Sequence, residues 1–359
     1  MNEKFKPLTG IRAVAAIMVF LYHNRKYWRE HLSVFAMQNL NEFHVGVSLF
    51  FVLSGFLIAY TYQDKPLLSK SAYFQYILIR LCRIFPVYIL ILTICYIDFG
   101  FPLESNKIIF NYTLLKGFSD VYNLDALPQS WTLTVELCFY FLAPFIYWQT
   151  NKSIAATIFY LLLLTAISFA IGYGWKYYSG NPYRWLYDWK FILNGTFFGR
   201  FVEFYVGVLM AVYFKKQQAL QKIIHTKYVT ATFCLFIFML IYLISSFETN
   251  IFDQGTSHLW GVLIRNLVLP IAIALFLWGL ITERTLLSRA LSSRLAILLG
   301  NASYVFYLVH FGYVNRRIIS FHLFPDRNFI LLWLVAIATY WLVEKPVYEW
   351  ARKKIKQFV

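Results

Sequence analysis

The stretch His44-Val-Gly-Val-Ser-Leu-Phe-Phe-Val-Leu-Ser-Gly-Phe-Leu-Ile58 contains no Asp, Glu, Lys or Arg. A helix that crosses the hydrocarbon of a bilayer needs roughly 20 mostly apolar residues, and this stretch with its flanks is long enough. Similar runs recur along the chain, so the sequence predicts an all-α polytopic membrane bundle of about ten helices in one domain, residues 1–359. The predicted spans are about 8–23, 45–62, 76–97, 131–148, 154–173, 200–214, 228–246, 262–281, 295–313 and 328–346.

Composition favours the same class of protein. The 359 residues are 60% hydrophobic and 14% charged, whereas soluble domains carry about 25% charged residues. The net charge is +16, but the Lys and Arg residues lie in short connections between apolar runs, so we expect no nucleic-acid binding. The four cysteines lie in or beside apolar runs without a CxxC pair, and we expect neither a metal site nor disulfides.

The distribution of basic residues predicts the orientation. With the N-terminus inside, 19 Lys and Arg residues fall on the inner side and 13 on the outer side, with Arg12 inside a span. Basic residues favour the cytoplasmic side, so both termini are predicted to be cytoplasmic. The outer connection 98–130 contains an apolar piece, Asn106–Phe118, that is too short to cross and is predicted to be interfacial or re-entrant.

Arg12 and His23 are the first candidate functional residues, because ionisable side chains within a span are costly. They are separated by 11 residues, which on an α-helix places them within about 20° of the same face and roughly 16 Å apart along the axis. One face thus presents a cation at its inner half and an imidazole at its outer half. The alternative is structural: Arg12 extends toward the inner interface, and His23 ends the helix.

Further candidates lie in later spans. Arg80 and Arg83 are three residues apart and share a helix face, where two guanidinium groups can bind phosphate oxygens; the alternative is an ordinary membrane anchor. Glu136 lies near the start of the fourth span, at the depth assigned to His23, and could fix the tautomer of that imidazole or form a structural ion pair. Glu203 and His310 fall near the outer ends of their spans and are either functional or structural.

Six segments together resemble the membrane acyltransferase-3 superfamily over nearly the whole chain. They are Leu8-Thr-Gly-Ile-Arg12 followed by His23, Phe50-Phe-Val-Leu-Ser-Gly-Phe-Leu-Ile58, Arg80-x-x-Arg83-Ile-x-Pro86, Ser130-Trp-x-Leu-x-Val-Glu136, Phe204-x-x-Gly207 and Ser303-Tyr-x-x-Tyr-Leu-x-His310. The resemblance implies ten helices, a cytoplasmic acyl-coenzyme A donor, acetyl-CoA above all, and an acceptor hydroxyl on a surface glycan such as lipopolysaccharide or capsule. It also implies a bacterial inner-membrane enzyme. We expect no metal, and we expect the protein to act alone, with a separate extracytoplasmic partner or as a homodimer.

The resulting hypothesis is a membrane O-acyltransferase. His23 is the general base, Glu136 orients it, Arg12 lines the path or steadies the thioester, and Arg80 and Arg83 bind the donor. A transient acyl-imidazole on His23 is the alternative chemistry. Candidate substrate-binding residues are Trp131, Glu203 and His310. The rival hypotheses are a glycolipid transporter or flippase, which would show paired broken spans, and a structural scaffold.

Overall fold

The computed structural model describes residues 3–28, 30–65, 67–99, 104–220, 227–248, 254–319 and 325–357. Within these ranges the chain is helical, and its only β pairing is an isolated bridge between Ser119 and Trp185. The α-helices are α1 (Lys6–Asn24), α2 (Val34–Asn41), α3 (Gly46–Tyr62), α4 (Lys70–Phe99), α5 (Ser105–Tyr112), α6 (Trp131–Lys152), α7 (Ile154–Ser179), α8 (Trp189–Gly195), α9 (Phe197–Ala219), α10 (Val229–Ser245), α11 (Leu259–Leu263), α12 (Leu269–Thr282), α13 (Leu286–Leu291), α14 (Arg294–Val309), α15 (Tyr313–Ile319), α16 (Pro325–Thr339) and α17 (Lys345–Gln357).

The predicted polytopic helical bundle is confirmed. Over the described ranges, eight helical segments are long and apolar enough to cross a membrane by length and composition. They are Glu3–Tyr27, Val34–Tyr62, Lys70–Asp98, Pro128–Lys152, Ile154–Tyr178, Trp189–Ala219, Leu259–Thr282 and Asn328–Ile355. Two shorter apolar helices, Val229–Ser245 and Arg294–Val309, occupy the positions of the predicted seventh and ninth spans.

The ninth span ends earlier than predicted. We expected helix to residue 313, but α14 ends at Val309, and Gly312 adopts a positive φ of 79°. The Gln129 side chain donates from Nε2 to the carbonyls of Leu308 and Phe311. These bonds satisfy carbonyl groups at the helix end, which would otherwise lack partners. His310 therefore lies just beyond the helix rather than within it.

The described residues form two compact units by their internal contacts. That the chain is one functional domain remains a prediction. The first unit comprises Met1–Thr61 and Val202–Tyr304. Its helices α3 and α9 pack backbone to backbone: a Cβ added at Gly55 would lie 2.1 Å from the Phe204 carbonyl oxygen, and one added at Gly207 would lie 2.1 Å from the Val52 oxygen. Small residues allow such close approach between membrane helices. Two of the sequence motifs therefore contain the glycines of one helix contact.

The second unit comprises Tyr62–Phe201 and Val305–Val359. In it, α4 packs against α6, α17 and a π-helical turn, Tyr340–Glu344. The predicted short apolar piece consists of α5 and a 3-10 turn, Leu115–Phe118.

Residues 104–130 fold around Asn111 and Lys116, two buried polar residues. The backbone carbonyl of Asn111 accepts a hydrogen bond from the Tyr88 hydroxyl (2.8 Å), and the Asn111 side-chain Nδ2 donates to Asp125 Oδ2 (2.8 Å). Lys116 is fully buried and donates to the backbone carbonyls of Asp125 and Leu127. The two side chains thus satisfy polar groups that the fold removes from solvent.

Candidate active site

The first unit contains Arg12, His23 and Glu203. Helix α1 runs without interruption from Lys6 to Asn24, so Arg12 and His23 lie on one helix and the argument from their spacing applies. Both side chains are half-buried. Glu203 is fully buried in α9.

Aromatic and charged groups surround the end of α1 that carries His23. The Tyr22 and His23 ring centroids lie 4.8 Å apart, and the Arg25 guanidinium lies 4.3 Å from the centroid of the Tyr22 ring. Arg25 also donates to the Tyr22 carbonyl oxygen at 2.8 Å. A cation near the C-terminus of a helix complements the helix dipole and binds its last carbonyls. The His23 ring therefore lies beside a tyrosine whose ring and carbonyl both contact a cation.

The second unit contains a cluster of Arg80 and four tyrosines, Tyr62, Tyr76, Tyr140 and Tyr147, which we call the arginine–tyrosine cluster. The guanidinium carbon of Arg80 lies 5.0 Å from the Tyr62 ring centroid, 5.7 Å from that of Tyr76 and 5.6 Å from that of Tyr140. Electrostatic interactions also connect Tyr147 to Arg80. Only 7% of Arg80 is exposed. Aromatic faces stabilise a guanidinium without occupying its N–H donors.

Three polar atoms of the arginine–tyrosine cluster lack a protein hydrogen-bond partner. Arg80 Nε and the hydroxyl oxygens of Tyr76 and Tyr147 are buried, and none is hydrogen-bonded within the part of the chain that the structure describes. Buried polar groups in native proteins nearly always have partners, so three in one cluster call for an explanation. All three groups can donate hydrogen bonds. The cluster is therefore suited to a buried anion such as a phosphate.

Acidic residues lie beside the arginines. Glu136 accepts a hydrogen bond from the Tyr140 hydroxyl at 2.5 Å. Arg83 is half-buried and interacts electrostatically with Tyr140, Arg80 and Glu344, the last residue of the π-helical turn. The structure thus brings together three of the predicted site residues, Arg80, Arg83 and Glu136. The pairing of Glu136 with His23 stays a prediction.

Another polar group of the second unit lies where α6 begins and α14 ends. The hydroxyls of Thr132 and Tyr307 are 3.0 Å apart, and Tyr307 also donates to the Gln129 carbonyl at 3.2 Å. His310 is fully buried, and its Nδ1 lies 2.7 Å from the Tyr307 carbonyl oxygen. Because that neighbour only accepts, the neutral ring carries its proton on Nδ1 and its lone pair on Nε2. Trp131 is the half-buried first residue of α6.

Several residues of these clusters were missed at the level of sequence. Tyr76 lies four residues before Arg80, and Tyr140 four residues after Glu136, so a search for polar or aromatic residues at helical spacing would have found both. Tyr62 and Glu344 are distant in sequence from Arg80 and Arg83 and carry no such pattern. In the described ranges, no group of three or more His, Cys, Asp or Glu side chains is arranged to hold a metal ion.

The helices and the buried clusters define a polytopic membrane protein with charged groups held among its spans. A family model described as an acyltransferase domain matches residues 6–343, and the chain belongs to this acyltransferase family, acyltransferase-3.

Curated relatives agree with the family. The chain is 22% identical over 398 aligned residues to a protein of Staphylococcus aureus (strain MRSA252) named "Putative O-acetyltransferase", and the match covers 98% of the chain. A protein of the same name from strain COL gives the same identity and coverage. The chain spans 60% of the length of these relatives. It is also 30% identical over 152 residues to "Protein 2 in picA locus" of Rhizobium radiobacter, covering 40% of the chain and 74% of that protein. No solved structure matches the chain.

Proposed function

We propose that this protein is an O-acetyltransferase that moves the acetyl group of acetyl-CoA to a hydroxyl of a bacterial surface glycan. The relatives named "Putative O-acetyltransferase" support the acetyl group. The bacterial cytoplasmic membrane is the proposed location, with both termini in the cytoplasm. A surface polysaccharide such as lipopolysaccharide or capsule is the proposed acceptor, and a separate extracytoplasmic protein or a second copy is the proposed partner.

The arginine–tyrosine cluster is the observation that carries the proposal. Coenzyme A bears phosphates, and phosphate oxygens accept hydrogen bonds from guanidinium and hydroxyl groups. The free donors at Arg80, Tyr76 and Tyr147 fit this chemistry, and Arg83 adds a second positive charge. In the proposed scheme these residues hold the phosphates of the donor, which is a substrate rather than a resident cofactor.

His23 is the proposed centre of the chemistry, with Arg12 on the same helix as a cation along the donor path. A neutral imidazole near pH 7 can take the proton of the acceptor hydroxyl as that oxygen attacks the thioester carbonyl. Alternatively, the imidazole attacks the thioester itself and carries the acetyl group. Trp131, Glu203 and His310 remain proposed acceptor-binding residues.

The test is a transfer assay with radiolabelled acetyl-CoA and membrane vesicles that contain the protein, together with mass spectrometry of surface glycans from cells with and without it. We expect label in the glycan fraction and an added acetyl mass that depends on the protein. The Arg80→Lys variant should bind coenzyme A about tenfold more weakly, because an ammonium lacks the fork of N–H donors. The control variant is Arg284→Lys, which changes an exposed arginine in the first unit. Glycans of unchanged mass would contradict the proposal.

A further inference from the structure

An imidazole–carboxylate pair lies in the first unit, on the 3-10 turn Glu42–Val45 that precedes α3. The Nδ1 of His44 is 3.6 Å from Glu42 Oε2 and 3.2 Å from the Asn41 carbonyl oxygen. Glu42 is fully buried, and its Oε1 accepts the Gly255 backbone N–H at 2.6 Å. The carboxylate is therefore fixed in place, and none of the roles proposed so far uses it.

The surroundings of His44 determine its tautomer. Both neighbours of Nδ1, a carboxylate and a carbonyl, are hydrogen-bond acceptors, so the neutral ring carries its proton on Nδ1. The lone pair is then on Nε2. The Asn41 carbonyl orients the ring through the hydrogen bond at Nδ1, and Glu42 Oε2 lies at ion-pair distance, where a carboxylate stabilises the imidazolium that forms when the ring takes a proton. The His44 side chain is 14% exposed, so the ring is neither isolated in the core nor free in solvent.

The Glu42–His44 pair lies close to His23. The Tyr22 ring centroid is 4.8 Å from that of His23 and 5.5 Å from that of His44, so the two imidazoles lie within about 10 Å of each other. Tyr22 is held from another side, because its hydroxyl accepts a hydrogen bond from Gln254 Nε2. Both imidazoles thus lie against the ring of the same tyrosine.

We propose that His44 is the second base of the transfer, which His23 requires when it carries the acetyl group. The inference rests on the proposed function and specifies its covalent route. An acylated His23 has its lone pair in the N–C bond and cannot take the acceptor proton. A general base within reach contributes typically 10²–10⁴-fold to such a step. The Glu42–His44 pair provides one.

Both imidazoles are neutral at the start of the reaction. Nε2 or Nδ1 of His23 attacks the thioester carbonyl, an N–C bond forms, the C–S bond breaks, and the coenzyme A thiolate leaves a cationic acyl-imidazole. The acceptor oxygen then attacks the acyl carbon while its proton passes to His44. The N–C bond breaks and returns its electron pair to His23. The proton on His44 finally neutralises the thiolate, which yields the acetyl ester and coenzyme A as a thiol.

The experiment measures where the acetyl group accumulates. The purified protein and its His44→Ala variant are incubated with radiolabelled acetyl-CoA with and without acceptor glycan, quenched, digested and mapped by mass spectrometry. We expect His44→Ala to keep label on the peptide that contains His23 even with acceptor present, at least tenfold above the wild-type level, while glycan acetylation falls by about 10²-fold or more. The matched control is His31→Ala, an exposed histidine of the same connection, which should behave as wild type.

Glu42→Gln serves as a second variant, because it keeps the imidazole and the volume of the carboxylate. It should also raise the label on His23 and slow transfer, to a smaller extent than His44→Ala. Normal transfer in either variant would overturn the inference. So would loss of transfer without label on His23 in a variant that binds coenzyme A normally, since a merely structural role predicts that result. A wild-type protein that binds no coenzyme A and acetylates nothing would instead refute the proposed function.

Discussion

Removal of a single hydroxyl from the arginine–tyrosine cluster tests the donor site most directly. Tyr76 is buried in α4, and its hydroxyl has no hydrogen-bond partner among the residues described. An unsatisfied buried polar group costs about 1–3 kcal/mol. Tyr76→Phe should therefore leave the free energy of unfolding unchanged or raise it. If the partner of this hydroxyl is a donor phosphate, the same substitution must weaken coenzyme A binding.

The expected loss of affinity follows from the strength of a hydrogen bond to a charged group. Such a bond contributes about 1.5–3 kcal/mol, which corresponds to roughly a ten- to one-hundred-fold change in Kd. Isothermal titration of the detergent-purified protein with coenzyme A measures this change, and thermal unfolding of the same samples measures stability.

Tyr88→Phe is the matched control, because Tyr88 is also buried in α4 but donates its hydroxyl hydrogen to the Asn111 carbonyl at 2.8 Å. This variant should lose about 1 kcal/mol of stability and keep its coenzyme A affinity. Both substitutions remove a tyrosine hydroxyl from α4. Tyr76→Phe is expected to weaken coenzyme A binding without loss of stability, and Tyr88→Phe to lower stability without loss of binding. Equal coenzyme A affinities in the two variants would refute the reasoning that places the donor phosphates at the arginine–tyrosine cluster.

Three further predictions concern chemistry, topology and pH. His23→Ala should nearly abolish glycan acetylation in a protein that still enters the membrane, and Glu136→Gln should reduce it; near-normal acetylation in the first variant would direct the search to His310. Reporter fusions at the C-terminus and at a position between residues 215 and 227 should report a cytoplasmic location, and an outside location of either would reverse the proposed donor side. Burial lowers the pKa of the Lys116 ammonium to about 7. Above pH 7 the folded chain therefore loses this proton, whereas the unfolded chain keeps it until the pH approaches the ordinary pKa of a lysine side chain. Stability should therefore rise with pH from about 7 upward, by at most about 1.4 kcal/mol per pH unit, and Lys116→Met should remove this rise in thermal unfolding curves.

The sequence by itself determined the class of fold and the placement of Arg12 and His23 on one helix. Both follow from local physics. A long apolar run must form a helix in a bilayer because every backbone polar group there needs an internal partner, and the period of that helix fixes which side chains share a face.

Only the tertiary structure decided which groups surround the charged residues of the spans. Arg80 packs against the rings of Tyr62 and Tyr140, and Glu42 accepts a hydrogen bond from the Gly255 backbone N–H, across long separations in the chain. Such contacts depend on how helices pack, and no periodicity within one segment encodes them. The earlier end of α14 has the same origin, since Gln129 supplies the side chain that satisfies its last carbonyls. The sequence thus identified the charged groups within the membrane spans, and packing determined the partners that give each of them a chemical role.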